Sequence, residues 1–199
     1  MDRLPALIAI APIGIAIAAL GCDDGSAPAA APADRVVAVA ATEEAPAEEL
    51  CDVSHDANGA PVLALPELAA GALPPPRGAR WINVWATWCR PCVEEMPMIR
   101  TWAQRLRADG APVELVFVSA DASDEAVAGF RASHADAPES LRVADPSALP
   151  QWVTTVGLDE GATLPLHLIT DARGRVRCAR AGAVSESDYE RVRALVRAL

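Results

Sequence analysis

Trp81-Ile82-Asn83-Val84-Trp85-Ala86-Thr87-Trp88-Cys89-Arg90-Pro91-Cys92-Val93-Glu94-Glu95-Met96-Pro97 is the stretch on which the reading of this chain turns. It opens as an apolar run that reads as a buried strand. It closes on two cysteines three apart, leading into apolar residues at helical spacing: Cys92, Met96, Ile99, Trp102 and Leu106. Strand, Cys-x-x-Cys and helix, in that order, suit a dithiol redox centre. A thiol at the first turn of a helix faces unpaired backbone N–H groups and the positive end of the helix dipole. Both favour the thiolate, which is the nucleophile. The second cysteine, one turn later, is close enough to close a disulfide on the first. The pair therefore divides into an attacking thiolate, Cys89, and a resolving thiol, Cys92. Zinc would need four ligands, and the sequence has neither a second Cys-x-x-Cys nor paired histidines.

The neighbours of the pair have readable roles. Arg90 places a permanent positive charge beside Cys89, where it either favours the thiolate or sits exposed on the loop. Pro91 has a fixed φ and no N–H at the helix start, where none is needed. Trp88 precedes Cys89 as an apolar platform, while Trp85 faces the core. Glu95 lies three residues after Cys92, on the helical face of the dithiol, and Glu94 points elsewhere into solvent.

Outward from this stretch the pattern is that of one α/β domain. Strands are expected over 61–65, 80–86, 113–119, 140–144, 166–170 and 175–179. Helices are expected over 90–106, with Pro97 inside it and a kink there, over 124–134 after the cap Ser123, over 146–156, and over 186–199 after the cap Ser185. The last two strands flank Asp171-Ala172-Arg173-Gly174 and read as a hairpin. The order gives a central sheet covered on both faces, with no internal repeat.

The N-terminal quarter differs. Arg3 is followed by an apolar run from Leu4 to Leu20 that contains Pro5, Pro12 and Gly14. It is short and broken for a spanning helix but suits the apolar region of a signal peptide. Ala19-Leu20-Gly21-Cys22 resembles a bacterial lipobox, in which Cys22 is lipidated and becomes the mature N-terminus. Residues 1–21 are thus expected to be a lipoprotein-type signal peptide. Residues 22–50, rich in Ala, Pro, Asp and Glu, read as a disordered tether. Residues 51–199 are the domain. Such a protein sits in the cell envelope on the periplasmic side of the membrane. Five cysteines are present; with Cys22 and the active pair set aside, Cys51 and Cys178 remain. A disulfide between them would staple the start of the domain to its final hairpin. The net charge is −10 and all seventeen basic residues are Arg, none clustered, which argues against a nucleic-acid partner.

The run from Trp85 to Pro97, together with Leu164-Pro165 six residues before the Asp171 turn, resembles the signature of the TlpA/ResA branch of membrane-anchored thioredoxin-like proteins. That resemblance covers about residues 58–199. It implies a thioredoxin-like fold with a central mixed β-sheet flanked by helices on both faces, and an oxidoreductase that needs no cofactor. It further implies client proteins with disulfides or thiols of the cytochrome c or oxidase assembly type, kept reduced by a membrane thiol electron donor. By the same resemblance Pro165 is cis and packs opposite the dithiol, Leu164 offers its backbone to an extended client segment, and Glu95 is a buried acid beside the cysteines. The sequence departs from the family after Pro165, where Leu166 and His167 replace small hydroxyl residues. His167 shares the strand parity of Pro165. It reads either as a hydrogen-bonded strand histidine or, with the two cysteines, as a third copper ligand. An oxidase or isomerase of the same fold, and a copper-relay module, stand as the competing readings.

Overall fold

The computed structural model describes residues 50–199; the expected leader, the lipid-anchor Cys22 and the tether up to residue 49 lie outside the described residues. Six strands form one mixed sheet: β1 (Val53–Ser54), β2 (Ala79–Trp85), β3 (Val113–Ser119), β4 (Ser140–Arg142), β5 (Leu166–Thr170) and β6 (Val176–Ala181). Their order across the sheet is β1-β6-β5-β2-β3-β4. The β2–β3 and β3–β4 pairs are parallel, while the β2–β5, β5–β6 and β1–β6 pairs are antiparallel. β2 is central and is buried from Arg80 to Trp85, which is why its sequence is a nearly continuous apolar run rather than an alternating one.

Four helices complete the domain: α1 (Arg90–Ala108), α2 (Asp124–Ser133), α3 (Leu149–Thr154) and α4 (Tyr189–Arg197). The odd positions of β2 meet the first two directly and the fourth through Trp102. Trp81 packs on Trp102 of α1, Trp102 on Tyr189 of α4, and Trp85 on Phe130 of α2. The opposite face takes α3 and the 61–76 segment, joined where the Trp152 indole N–H donates to the Ala64 carbonyl. α1 buries Cys92, Glu95, Met96, Ile99, Trp102 and Leu106. Burial of each large apolar side chain contributes about 1.5–3 kcal/mol. Pro97 does not end this helix, which runs on to Ala108. Ser123 caps α2 through its hydroxyl, which accepts the Ala126 N–H.

Some elements differ from expectation. The 61–65 run pairs only through a bridge from Val62 to Arg175, because Pro61 and Pro66 lack the N–H that a ladder needs. The expected 146–156 helix is a 3-10 turn at Pro146–Ala148 followed by the short α3. Strand β1 has two residues and was not expected. It is placed by pairing with β6 and by the bond from Cys51 to Cys178, not by any pattern of its own. In the β5–β6 turn the Asp171 carboxylate accepts the N–H groups of Arg173 and Arg175, and Gly174 takes a left-handed φ of 74° that a side chain disfavours.

Candidate active site

The site lies where β2 runs into α1. The connecting residues are held by a buried carboxylate. Asp121 accepts the Thr87 N–H at 3.0 Å, the Thr87 hydroxyl at 2.7 Å and the Ser119 hydroxyl at 2.8 Å. Cys89 is the N-cap of α1 in extended conformation, and Pro91 sits in the first turn. Cys89 and Cys92 are joined by a disulfide with Cα atoms 5.3 Å apart. Cys92 is fully buried, while Cys89 keeps 5% of its surface. An incoming thiol or disulfide therefore meets Cys89 first. The Leu164–Pro165 peptide is cis.

Arg90 and Trp88 both face solvent. The Arg90 Nε–H donates to Glu94 at 2.7 Å, one helical turn on, and that hydrogen bond raises the guanidinium pKa further. Its charge is thus directed along the exposed helix face to Glu94. Trp88 is 70% exposed, the largest exposed aromatic among the described residues. It lines a groove of about 350 Å³ with Leu149, Val153, Leu164 and Leu166. This groove adjoins the cis-proline loop and is apolar, so it suits an extended, apolar client segment beside Cys89.

One turn along α1 from Cys92 is a polar cluster sealed from water. Glu95 is 4% exposed, His167 2%, and Asn83 and Trp81 0%. Glu95 Oε1 accepts the Asn83 amide at 3.0 Å, and Oε2 accepts the Val184 N–H at 2.9 Å. His167 Nδ1 accepts the Trp81 indole N–H at 3.2 Å and faces the Asn83 amide at 3.4 Å. His167 Nε2 stands 3.3 Å from Glu95 Oε1, within ion-pair reach but not aligned as a hydrogen bond. Asn83 and His167 are direct neighbours across β2 and β5, and Arg180 is the next across β6. His167 is thus turned to the helix acid. Among the described residues no group of three or more His, Cys, Asp or Glu side chains is arranged to hold a metal ion.

Sequence reasoning singled out Cys89, Cys92, Glu95 and Pro165, and the fold brings them to one end of the sheet. It missed Asn83 and Trp81, which position Glu95 and His167, and Asp121, which pins the loop. Asn83 had a usable signal: a lone amide inside a fully buried strand must find hydrogen-bond partners. At the far edge of the sheet Cys51 and Cys178 are bonded, with Cα atoms 5.4 Å apart.

Comparison with known proteins gives a consistent set of likenesses. No protein-family model matches the chain. A thiol:disulfide interchange protein DsbE homolog of Paracoccus denitrificans is 32% identical over 113 residues, covering 56% of this chain and 55% of that protein. The thiol-disulfide oxidoreductase ResA of Bacillus anthracis is 28% identical over 96 residues, covering 48% of this chain and 50% of that protein. The chain thus spans about half the length of the curated relatives it matches. Among solved structures, a DsbF homologue from Corynebacterium diphtheriae aligns with a TM-score of 0.53 at 17% identity, over 74% of this chain and 92% of that one; this likeness shows the fold. Among the described residues no helix is long and apolar enough to cross a membrane.

Proposed function

From the premise that this chain is a ResA/TlpA-like thioredoxin-fold protein, we propose that it is an exported thiol–disulfide oxidoreductase that reduces disulfides of partner proteins through Cys89 and Cys92. One observation carries the reading: a cysteine pair at the N-terminus of α1, with Cys89 keeping a small exposed surface, Cys92 fully buried and Glu95 one turn further along the same buried face.

The cycle follows from that arrangement. The Cys89 thiolate attacks a client disulfide, forming a mixed disulfide and releasing one client sulfur as a thiolate, which takes a proton from solvent. Cys92 then gives its proton to the Glu95 carboxylate and attacks the Cys89 sulfur. The Cys89–Cys92 bond forms, and the second client sulfur leaves and receives that proton. Two electrons pass from the dithiol to the client, and a thiol electron donor at the membrane restores the reduced pair. The Leu164 backbone beside Pro165 is read as open to an extended client strand, with Trp88 lining the same groove as an apolar contact. Cytochrome c or oxidase assembly proteins are the client class that the family implies. Residues 1–21 are read as a lipoprotein-type signal and 22–50 as the tether, which holds the domain near the periplasmic face of the membrane through a lipid on Cys22. Cys51–Cys178 is read as a structural disulfide.

A redox titration of the full-length protein against glutathione or dithiothreitol tests the direction of exchange. A potential near that of thioredoxin, about −270 mV, is expected of a reductant; a value near about −120 mV, that of DsbA, makes it a disulfide donor instead. Insulin reduction that is unchanged in C89S overturns the reading altogether.

A further inference from the structure

Two buried polar atoms beside Glu95 have no hydrogen-bond partner: His167 Nε2 and Asn83 Oδ1. Orphan groups of this kind are rare in folded proteins and call for a reason. The chemistry of the ring decides what His167 can do. An indole N–H is a donor only, so the nitrogen facing Trp81 Nε1 must accept, and a neutral imidazole then carries its proton on the other nitrogen. That other nitrogen is Nε2, the one 3.3 Å from Glu95 Oε1.

A carboxylate has about four lone-pair positions. At Glu95 two donors stand in hydrogen-bond geometry, the Asn83 amide at Oε1 and the Val184 N–H at Oε2, and His167 Nε2 stands 3.3 Å from Oε1 out of alignment. One position on Oε2 is left without a donor and can receive a proton. Cys92 lies one turn earlier on the same buried face of α1.

We propose that His167 is a positioning residue for the dithiol exchange: held by the Trp81 indole in the tautomer that bears its proton on Nε2, it presents a donor to Glu95 and keeps that carboxyl as the acceptor of the Cys92 proton. The inference rests on the proposed thiol–disulfide activity and deepens it by assigning the residue that governs the acid. The proton moves from the Cys92 sulfur to Glu95 and on to the departing client thiolate; His167 neither gains nor loses one. Nε2 and Oε1 are near but out of hydrogen-bond alignment, which leaves the contact able to close or open as the charge on Glu95 changes. Among the described residues, few groups face this pair. α1 contributes Cys92, one turn before Glu95, β2 the uncharged Asn83 and Trp81, and the loop after β6 the Val184 N–H. From β6 comes Arg180, whose guanidinium donates to the carbonyls of Leu50 and Ala183, with Asp188 within its field. Tyr189 of α4 is set back behind Trp102.

The test is the pH profile of Cys89 alkylation in the reduced full-length protein, measured in wild type, H167T, E95Q and the double variant. Loss of a donor makes Glu95 an easier seat for a proton, so less negative charge opposes thiolate formation nearby. H167T should therefore move the profile to lower pH, by less than the about one unit that a hydrogen bond to a charged group is worth to that group itself. In the E95Q background the same substitution should produce no further shift. H167Q, whose amide offers a donor in place of Nε2–H, should return the profile toward wild type. Long-range ¹⁵N–¹H NMR should show His167 as the Nε2–H tautomer, and W81F should release that preference. An unshifted H167T profile, an equal shift with and without Glu95, or an Nδ1–H tautomer overturns the inference while leaving the oxidoreductase reading intact. Loss of any two-electron titration of Cys89–Cys92 in the wild type defeats the activity itself, whatever the variants do.

Discussion

Removing the bond between Cys51 and Cys178 should lower the stability of the domain by a large and calculable amount. The two cysteines are 127 residues apart in sequence. In the chain-entropy model, closing a loop of that length removes about 5 kcal/mol of unfolded-state freedom at 25 °C, while measured effects more often fall near 2–4 kcal/mol. The loop figure is the upper bound, and about 2–4 kcal/mol is expected. Without the bond the same segment is still held: β1 pairs with β6, the Asp52 carboxylate accepts the Ala181 N–H, and Arg180 donates to the Leu50 carbonyl. These contacts keep the segment docked, so the change acts mainly on the unfolded chain. The substitution of choice is C51A, because Cys51 lies at the edge and Cys178, 1% exposed, keeps its sulfur in the core. With a urea slope of about 2 kcal/mol/M, the midpoint should fall by about 1–2 M. C178A should fall somewhat further, since it also leaves a small cavity. Both proteins are compared with the active pair oxidised. A C51A midpoint within error of wild type would mean that the bond contributes nothing, and that the hydrogen bonds alone hold the segment.

Other expectations follow from single side chains. D121A leaves the Thr87 N–H and the hydroxyls of Thr87 and Ser119 without their acceptor, so urea unfolding should show a loss of about 3 kcal/mol, and Cys89 of the reduced protein should be alkylated faster as the loop loosens. Burial alone would push the Asp188 carboxyl up, but donation from the Ser185 N–H and hydroxyl, with Arg180 and Arg191 nearby, holds it below the ordinary value near 3.8. The stabilisation is therefore present above that pH and lost as pH falls through the folded value. D188N should cost about 1 kcal/mol at pH 7, and the gap from wild type should close in urea titrations below the ordinary value. W88A should change stability by no more than about 0.5 kcal/mol, because the ring is exposed, yet slow exchange with an apolar peptide disulfide more than with glutathione. An equal change in rate for both substrates would remove the groove from client binding.

Much of this protein is legible in its residues taken in order. The expected strand bounds over 113–119 and 166–170 are those of β3 and β5, and the helix after Cys89 starts at Arg90, because continuous apolar runs, a proline in the first turn and a 3.6-residue stripe are local signals that packing did not override. Cys89 and Cys92 needed only their spacing and their place at a helix start. Glu95 was legible as a residue of the dithiol face. What surrounds it was legible only in part: strand parity put His167 on the side of Pro165, but not beside Glu95. Asn83, Trp81 and His167 stand on two strands whose register, Asn83 opposite His167 and Trp81 opposite Ile169, is set by how β2 and β5 lie together. No periodicity within either strand specifies that pairing across 84 residues. Strand β1 is a case of the same kind: two residues become a strand only because β6 is there to pair with. Nor does the sequence say where Arg90 directs its charge, since an exposed guanidinium takes the nearest carboxylate, and that is Glu94. Residue order by itself determined the elements and the reacting pair, through interactions a few residues long. The partners of the buried acid were decided by tertiary structure, because buried polar groups must satisfy one another across the sheet once water is gone.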